Sequence, residues 1–289
     1  LQEHLEMSIF VLLDDLLFQI PGLNEWLKVL RQLVAECDVY VTNTPHPMRR
    51  EWGLTYEDLA TLNSRLIYAS LTAYGELGPE RDREGFDLVA YWARSGLMDL
   101  VRAPGADPAP AIPGMGDHPT AVSLYAAILT ALFKRQQTGE GSHVHTSLLA
   151  NGMWSASCIA QGVFAEADFT LYHQLSSHLF TRLLYEAADG RWLQFSMVRT
   201  DEEVDMLFTA IGRPDLLLDS RFVTADLRVE HGNVLVKEMK ATLITETAAH
   251  WMQVLADAGV PVALVGRVDE LKSDPQVIAN DMAITPTSE

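Results

Sequence analysis

One carboxylate stands out by its setting. Residues 113–121 read PGMGDHPTA, so Asp117 follows the Gly-x-Gly pair Gly114 and Gly116 and precedes His118 and Pro119. Proline is favoured at the first helical position, which puts Asp117 and His118 at the mouth of a helix. A helix N-terminus carries unpaired N–H groups and a partial positive charge, which hold a carboxylate ionised and oriented. Two readings follow. Asp117 caps the helix, or it serves as a nucleophile on a glycine loop that lets a substrate come close.

Other chemistries find less support. His143 and His145 alternate, so a strand points both to one side, as in half a metal site. No third ligand stands at a recognisable spacing and no H-E-x-x-H occurs, so no metal is expected. His118 is a secondary acid–base candidate. The chain has no G-x-S-x-G, no Walker A sequence and no G-x-G-x-x-G, which removes the usual anchors of serine hydrolases, P-loop enzymes and dinucleotide binders. Trp92, Trp154 and Tyr125 read as core aromatics.

The elements that must position Asp117 follow from periodicity. NEWLKVLRQLVAEC (24–37) has apolar residues at helical spacing, and DVYVT (38–42) follows as a strand. Thr55 and Asp58 form a capping box opening a short helix. RLIYASLT (65–72) reads as a strand buried on both faces. Such alternation predicts a parallel sheet with covering helices. FDLVAYWARSGLM (86–98) reads as a helix. Residues 103–116 hold four prolines and three glycines and form no regular element. A long apolar helix runs from Pro119 to Gln137, with Gly139 placed to end it. Residues 143–149 read as a strand or the approach to a helix that continues through NGMWSASCIAQGVFA. Beyond about residue 166, two β-like runs meet at Asp189-Gly190, a hairpin signal. Helical segments follow near 201–211, 227–243 and 246–258, with a strand at 261–266. The organisation expected is a large domain over 1–165 and a small one over 166–289.

Composition excludes some partners. The formal charge of −18 over 289 residues argues against nucleic acid and against anionic membrane. Two cysteines, outside any C-x-x-C, fit a reducing, cytoplasmic setting. The N-terminal LQEHLEMSIFVLLDDLLFQI lacks a basic n-region and is interrupted by acids, so neither a signal peptide nor a membrane span is expected.

Several stretches together resemble the class III CoA-transferases, the family of formyl-CoA:oxalate and carnitine CoA-transferases. They are ECDVYVTNTPHPMRREWGLTYEDLATLNSRLIYASLTAYGELGP (36–79), REGFDLVAYWARSGLM (83–98), GMGDHPTA (114–121) and LTALFKRQQTGEGSHVHTSLL (129–149). ADGRWLQFSM (188–197) and DPQVIANDM (274–282) resemble the family's smaller domain. The resemblance implies an α/β fold: a large Rossmann-like open-sheet domain plus a smaller α+β domain. It implies transfer of CoA between an acyl-CoA and a carboxylic acid through covalent intermediates on an aspartate, matched by Asp117. CoA enters as a substrate, no cofactor is tightly bound, and the partner is a second copy in an interlocked homodimer.

Binding residues carry over from the same resemblance. Asn43 matches the family's asparagine, Thr44-Pro45 stand where Phe-Arg is usual, and a basic position aligns with Glu51. Arg50 and Arg83 are the expected phosphate contacts. Phe86 matches a position lining the CoA or acyl site, with Gly114, Gly116 and His118 around the nucleophile. Residues 1–25 lack the family's opening strand, glycine turn and helix, and the family's chains continue beyond the position of Glu289. The large domain is therefore expected to be incomplete at both ends. The small domain's glycine-rich cover is not evident near 166–182.

Two rivals stand beside this reading. One is a degenerate or truncated relative with weak or no activity. The other is the related α-methylacyl-CoA racemase, which needs a second acid–base group. That branch has Gly-His-Asp where this chain has Gly85-Phe86-Asp87, and phenylalanine cannot shuttle a proton.

Overall fold

Short apolar runs separated by helices produce a parallel sheet in the first half of the chain. The computed structural model describes residues 22–168, 170–171, 174 and 179–283, and the backbone of 9–12. By internal packing the chain divides into two units, Leu1–Gln174 and Leu175–Glu289.

In the first unit, β1 (Ile9–Leu12), β2 (Val39–Thr42), β3 (Ile67–Thr72) and β4 (Ser142–Ser147) form one sheet in that order. Every pairing is parallel. Helices α1 (Leu23–Glu36), α2 (His46–Trp52) and α3 (Tyr56–Ala60) serve the first crossovers. The β3–β4 crossover carries a π-helical segment (Leu88–Ala93), α4 (Leu97–Leu100) and α5 (Asp117–Thr138). Helices α6 (Leu148–Ser155) and α7 (Ser157–Phe164) follow β4.

Strand alternation gives each side chain a face. Tyr40 and Tyr68 pack with Leu27, Leu30, Val34, Leu54 and Leu59 of the α1–α3 layer. Val39, Ile67 and Ala69 pack with Leu124, Ile128 and Ala131 of α5 on the other side. Residues 66–70 are thus buried on both faces, as their apolar run predicts, while Arg65 is exposed and Leu71 and Thr72 are half-buried. The capping box of Thr55 and Asp58 is present, and the left-handed Gly139 (φ 76°) ends α5.

The far end of α5 is tied to the sheet. Arg135 is 8% exposed and donates from Nη1 to the Arg65 carbonyl (2.9 Å) and from Nη2 to Asp38 Oδ1 (2.7 Å). A cation in the last turn also opposes the helix dipole favourably. Gly141 lies so close to β3 that a Cβ there would collide with the Leu66 carbonyl.

Several boundaries differ from the sequence expectation. β1 lies within the stretch that shows no strand pattern, because four apolar residues inside a longer apolar run carry no period of their own. Pairing with β2 decides the matter, and residues 13–21 lie outside the described residues. The helix expected over 86–98 breaks at Gly96, whose φ of 87° is left-handed. The helix expected to continue after β4 divides at Ala156 into α6 and α7. Tyr125 (61% exposed) and Trp154 (70%) are surface residues, contrary to the core expectation. The cause is that α5 and α6 are apolar around more of their circumference than the described sheet covers.

The second unit is a small α+β structure. β5 (Leu184–Glu186) and β6 (Trp192–Gln194) pair antiparallel across Asp189-Gly190, with Gly190 at φ 71°. Helices α8 (Asp201–Ala210), α9 (Asp215–Leu218), α10 (Ala225–Glu230), α11 (Gly232–Leu243) and α12 (Ala248–Asp257) follow. β7 (Ala263–Leu264) then joins β6, and α13 (Pro275–Ala279) comes last. The core gathers Phe180, Tyr185, Leu193, Phe195, Phe208, Met239 and Trp251. The expected absence of a glycine-rich cover near 166–182 falls partly on residues outside those described. Among the described residues no helix is long and apolar enough to cross a membrane.

The Arg135 anchor yields a stability prediction. Arg135→Leu keeps most of the buried stem but removes the bonds to Asp38 and Arg65. Urea unfolding should show a loss of about 2 kcal/mol, the scale of hydrogen bonds made by a charged group. An unchanged midpoint would show that the helix is held by its apolar face alone.

Candidate active site

The site is built from two crossover segments that meet at a buried carboxylate. Asp87 precedes the π-helical segment and is 5% exposed. Its Oδ2 accepts the Gly114 N–H at 2.7 Å and the Gly116 N–H at 3.2 Å. The loop entering α5 is therefore held by a carboxylate 27 residues earlier in the chain.

Each glycine has its own reason. Gly114 has φ 87°, a left-handed conformation that side chains resist. Gly116 has an ordinary φ of −82°, but a Cβ there would sit 2.5 Å from Tyr91 Cγ. Tyr91 is 5% exposed and is fixed by a 2.5 Å hydrogen bond between its hydroxyl and Ser155 Oγ. The Tyr91 carbonyl also accepts from Ser95 Oγ. Gly152 lets α6 close onto that same carbonyl. The π-helical turn thus presents both the Asp87 tether and the Tyr91 floor to the Gly114–Gly116 loop.

Asp117 opens α5 as its first helical residue, two positions before the predicted start at Pro119. Gly116 occupies the capping position and no side-chain cap bond forms. The capping reading therefore fails: the Asp117 and His118 N–H groups donate to the Gly114 carbonyl, and Asp87 takes the amides just ahead of the helix. Asp117 is exposed, and among the described residues its carboxylate has no hydrogen-bond or ion-pair partner. Partial desolvation, then the charge of Asp87, hold its carboxyl above the usual range, with His118 acting in the opposite sense. His118 is likewise exposed.

The structure places the other expected contacts as follows. Asn43 is exposed just after β2. Thr44 is fully buried, and its N–H donates to Thr42 Oγ1 at 3.1 Å, which shapes the turn. Arg50 makes a two-pronged pair with Asp82 at 2.9 and 2.8 Å. Arg83 donates to Glu80 at 2.7 Å and lies 5.5 Å from the Tyr74 ring centre. Both arginines are therefore neutralised by the acidic loop 73–85. Phe86 is 79% exposed and adjoins Asp87, while Met115, 47% exposed, stands between the two tethered glycines. Phe86, Met115 and Asp117 are thus brought to the two strands of chain joined by the Asp87 tether.

Sequence reasoning passes over Asp87 and Tyr91. The Gly-Phe-Asp triplet was informative at its aspartate as well as at Phe86, yet nothing in a single chain pairs Asp87 with residues so far along. A second buried cluster also escapes it. Glu76 Oε2 lies 2.6 Å from His46 Nε2, and its Oε1 accepts from Arg49 (3.1 Å) and Ser70 (2.5 Å). His143 Nε2 meets Ser70 Oγ at 2.9 Å. His143 and His145 do lie on one side, with ring centres 5.4 Å apart, but among the described residues no group of three potential metal ligands forms.

Comparison with known proteins gives the same direction. Residues 24–288 match CoA-transferase family III. The chain is 30% identical over 265 residues to the (R)-2-hydroxy-4-methylpentanoate CoA-transferase of Clostridioides difficile, covering 91% of this chain and 66% of that protein. It is 30% identical over 258 residues to the cinnamoyl-CoA:phenyllactate CoA-transferase of Clostridium sporogenes, covering 88% and 62%. The chain thus spans less than two thirds of the length of these relatives. Among solved structures, a CAIB/BAIF family protein from Brucella suis superposes with a TM-score of 0.81 at 27% identity, over 91% of this chain and 69% of that one. With its parallel-sheet unit and its smaller α+β unit, the chain belongs to CoA-transferase family III.

Proposed function

We propose that the protein moves CoA between an acyl-CoA thioester and a carboxylic acid, with Asp117 as the nucleophile. The observation that carries this is an exposed, unpaired carboxylate at the start of a 22-residue helix, on a loop fixed by Asp87.

The steps follow from that carboxylate. An Asp117 oxygen adds to the thioester carbonyl, the C–S bond breaks, and CoA leaves as thiolate. The product is a mixed anhydride of the acyl group and Asp117. The thiolate then attacks the aspartyl carbonyl, which releases the donor acid as carboxylate and leaves an aspartyl-CoA thioester. The acceptor carboxylate attacks that thioester and expels the thiolate again. The thiolate finally takes the acceptor acyl group from the second anhydride, giving the new acyl-CoA and free Asp117. Each step exchanges one activated acyl bond for another, so no ATP is consumed.

Substrates and assembly are part of the same proposal. The names of the two relatives point to acids with branched or aromatic side chains, and exposed Phe86 and Met115 suit an apolar acyl group. The working assembly is read as a homodimer in the cytoplasm. Its support is an exposed apolar stripe on α5, formed by Val122, Tyr125, Leu129 and Phe133. CoA is a substrate here, and no resident cofactor is invoked.

Mass spectrometry after incubation with an acyl-CoA should find CoA or acyl mass on the peptide holding Asp117. Asp117→Ala should abolish the adduct and lower exchange by about 1,000-fold or more. An unmodified peptide together with full exchange by Asp117→Ala rejects the proposal.

The pH dependence has a definite sign. Attack requires ionised Asp117, whose carboxyl is held above the ordinary range. Activity should therefore fall as pH drops, with its acid limb above that of an unperturbed aspartate. The same shift means that ionisation opposes folding, so stability gained from the proton is lost as pH rises through the raised value. Asp117→Asn should accordingly melt no lower than the wild type at neutral pH; a clear drop in Tm would contradict this.

Gly116→Ala tests the seat of the nucleophile. The added methyl must displace the Tyr91 ring or lift the loop. A misplacement of about 1 Å at a reacting group costs roughly 100-fold in rate. The expected result is a kcat lowered by that order, and retention of wild-type kcat would show that the loop position is not critical.

A further inference from the structure

We propose that Asp87 is the positioning residue of the nucleophile: its buried carboxylate fixes the loop that carries Asp117, and its charge is held in place as Asp117's electrostatic neighbour. The inference rests on the reading of Asp117 as the attacking group and goes beyond it by assigning a role to a residue that touches no substrate.

The geometry carries the tether, and with it the nearness of the two carboxylates, since Asp87 holds the amide of the residue just before Asp117. A single oxygen, Oδ2, accepts from both Gly114 and Gly116. Charge-assisted bonds to backbone amides are shorter and stronger than neutral ones, and they compensate for taking the carboxylate out of water. The two amides bracket Met115 and end one residue before Asp117, so the bonds define where α5 begins. Asp87 is 5% exposed, which shields its charge less than water would. The charged groups acting on Asp117 are Asp87, from the neighbouring segment, and His118, on its own helix. They oppose each other: Asp87 disfavours the ionised Asp117 and His118 favours it. A carboxylate whose ionised form is less stabilised is the better nucleophile, provided that it is still ionised at working pH.

Substitution separates the tether from the charge. Asparagine offers one neutral carbonyl oxygen, and one oxygen makes both bonds, so Asp87→Asn can keep the tether while losing the charge. Asp87→Ala loses both. Amide hydrogen exchange should show Gly114 and Gly116 protected in the wild type and in Asp87→Asn, and unprotected in Asp87→Ala. Selective carbon labelling of aspartate should show the Asp117 carboxyl titrating at lower pH in Asp87→Asn, with the acid limb of kcat/KM moving the same way. The movement should persist in a His118→Gln background. In Asp87→Ala, kcat should fall about 100-fold with KM nearly unchanged, as expected for a misplaced group.

Superimposable Asp117 titrations in the wild type and Asp87→Asn would overturn the charge role. Protected amides in Asp87→Ala would overturn the tether. If Asp87→Ala does not fold, the wild type decides the tether: Gly114 and Gly116 amides that exchange as fast as those of an unstructured peptide would overturn it, and their protection supports it. Exchange and titration need no turnover. Failure of acyl-CoA to label Asp117 in the wild type would therefore reject the nucleophile while leaving the Asp87 measurements to be read independently.

Discussion

The site depends on a carboxylate that is not itself exposed. Asp87 is nearly sealed from water, and a buried charge without compensation would cost several kcal/mol. Its compensation is the pair of N–H groups from Gly114 and Gly116. This exchange has a structural consequence. The loop 103–116, rich in proline and glycine, has no element of its own to hold it. Its end is nevertheless fixed, because releasing it would strand Asp87. The free energy that keeps Asp87 buried is the same that keeps Asp117 in place. At the other end of the helix, Arg135 ties α5 to the starts of β2 and β3 through Asp38 and Arg65. The helix is thus anchored at both ends by charged groups bonded to backbone, with its apolar face against Val39, Ile67 and Ala69 in between.

Charge is distributed with some economy around this frame. The chain carries eighteen more acids than bases, formally −18, and nearly every arginine in the first unit's loops is paired. Arg50 holds Asp82, and Arg83 and Arg94 share Glu80. Exposed pairs of this kind contribute little to stability. Their effect is on recognition: an incoming phosphate must compete with Asp82 or Glu80 for these guanidinium groups. Deeper in, Arg49 and His46 converge on Glu76, which fastens the loop after β3 to α2. That contact is buried, so the loop bearing Asp82, Arg83 and Phe86 is rooted even though its outer charges face water.

The sequence made the scaffold readable where a local rule governs it. Tyr40 and Tyr68 alternate with Val39 and Ile67, and period two alone assigns their faces. Thr55 and Asp58 announce their helix, Gly139 ends another, and Asp189-Gly190 makes the hairpin turn. The glycines before Asp117 mark the site as well, though for a reason only partly visible. A glycine suggests room or unusual backbone; that Gly116 makes way for the Tyr91 ring is a tertiary fact. Asp87 stands in the sequence only as the last residue of Gly85-Phe86-Asp87, because its partners lie 27 and 29 residues on. β1 escaped for the opposite reason, since its four residues sit in an apolar stretch with no period to separate strand from helix. Tyr125 and Trp154 show a third failure. Aromatic residues on a helix imply burial only if something covers them, and coverage is not a property of the helix.

Why an aspartate whose ionisation is disfavoured should begin a helix can be argued from the competing terms. The helix N-terminus attracts negative charge and, alone, would make Asp117 a comfortable and therefore weak base. A capping bond would weaken it further by spending its lone pairs on amides. The structure avoids both. Gly116, not Asp117, takes the capping position, and the amides ahead of the helix are assigned to Asp87. The second carboxylate then offsets part of the dipole's stabilisation. Asp117 is left oriented by the helix yet bonded to none of the described groups. Orientation without hydrogen-bond saturation is what an attacking carboxylate requires, since each bond to its oxygens would have to break before a new one to carbon could form.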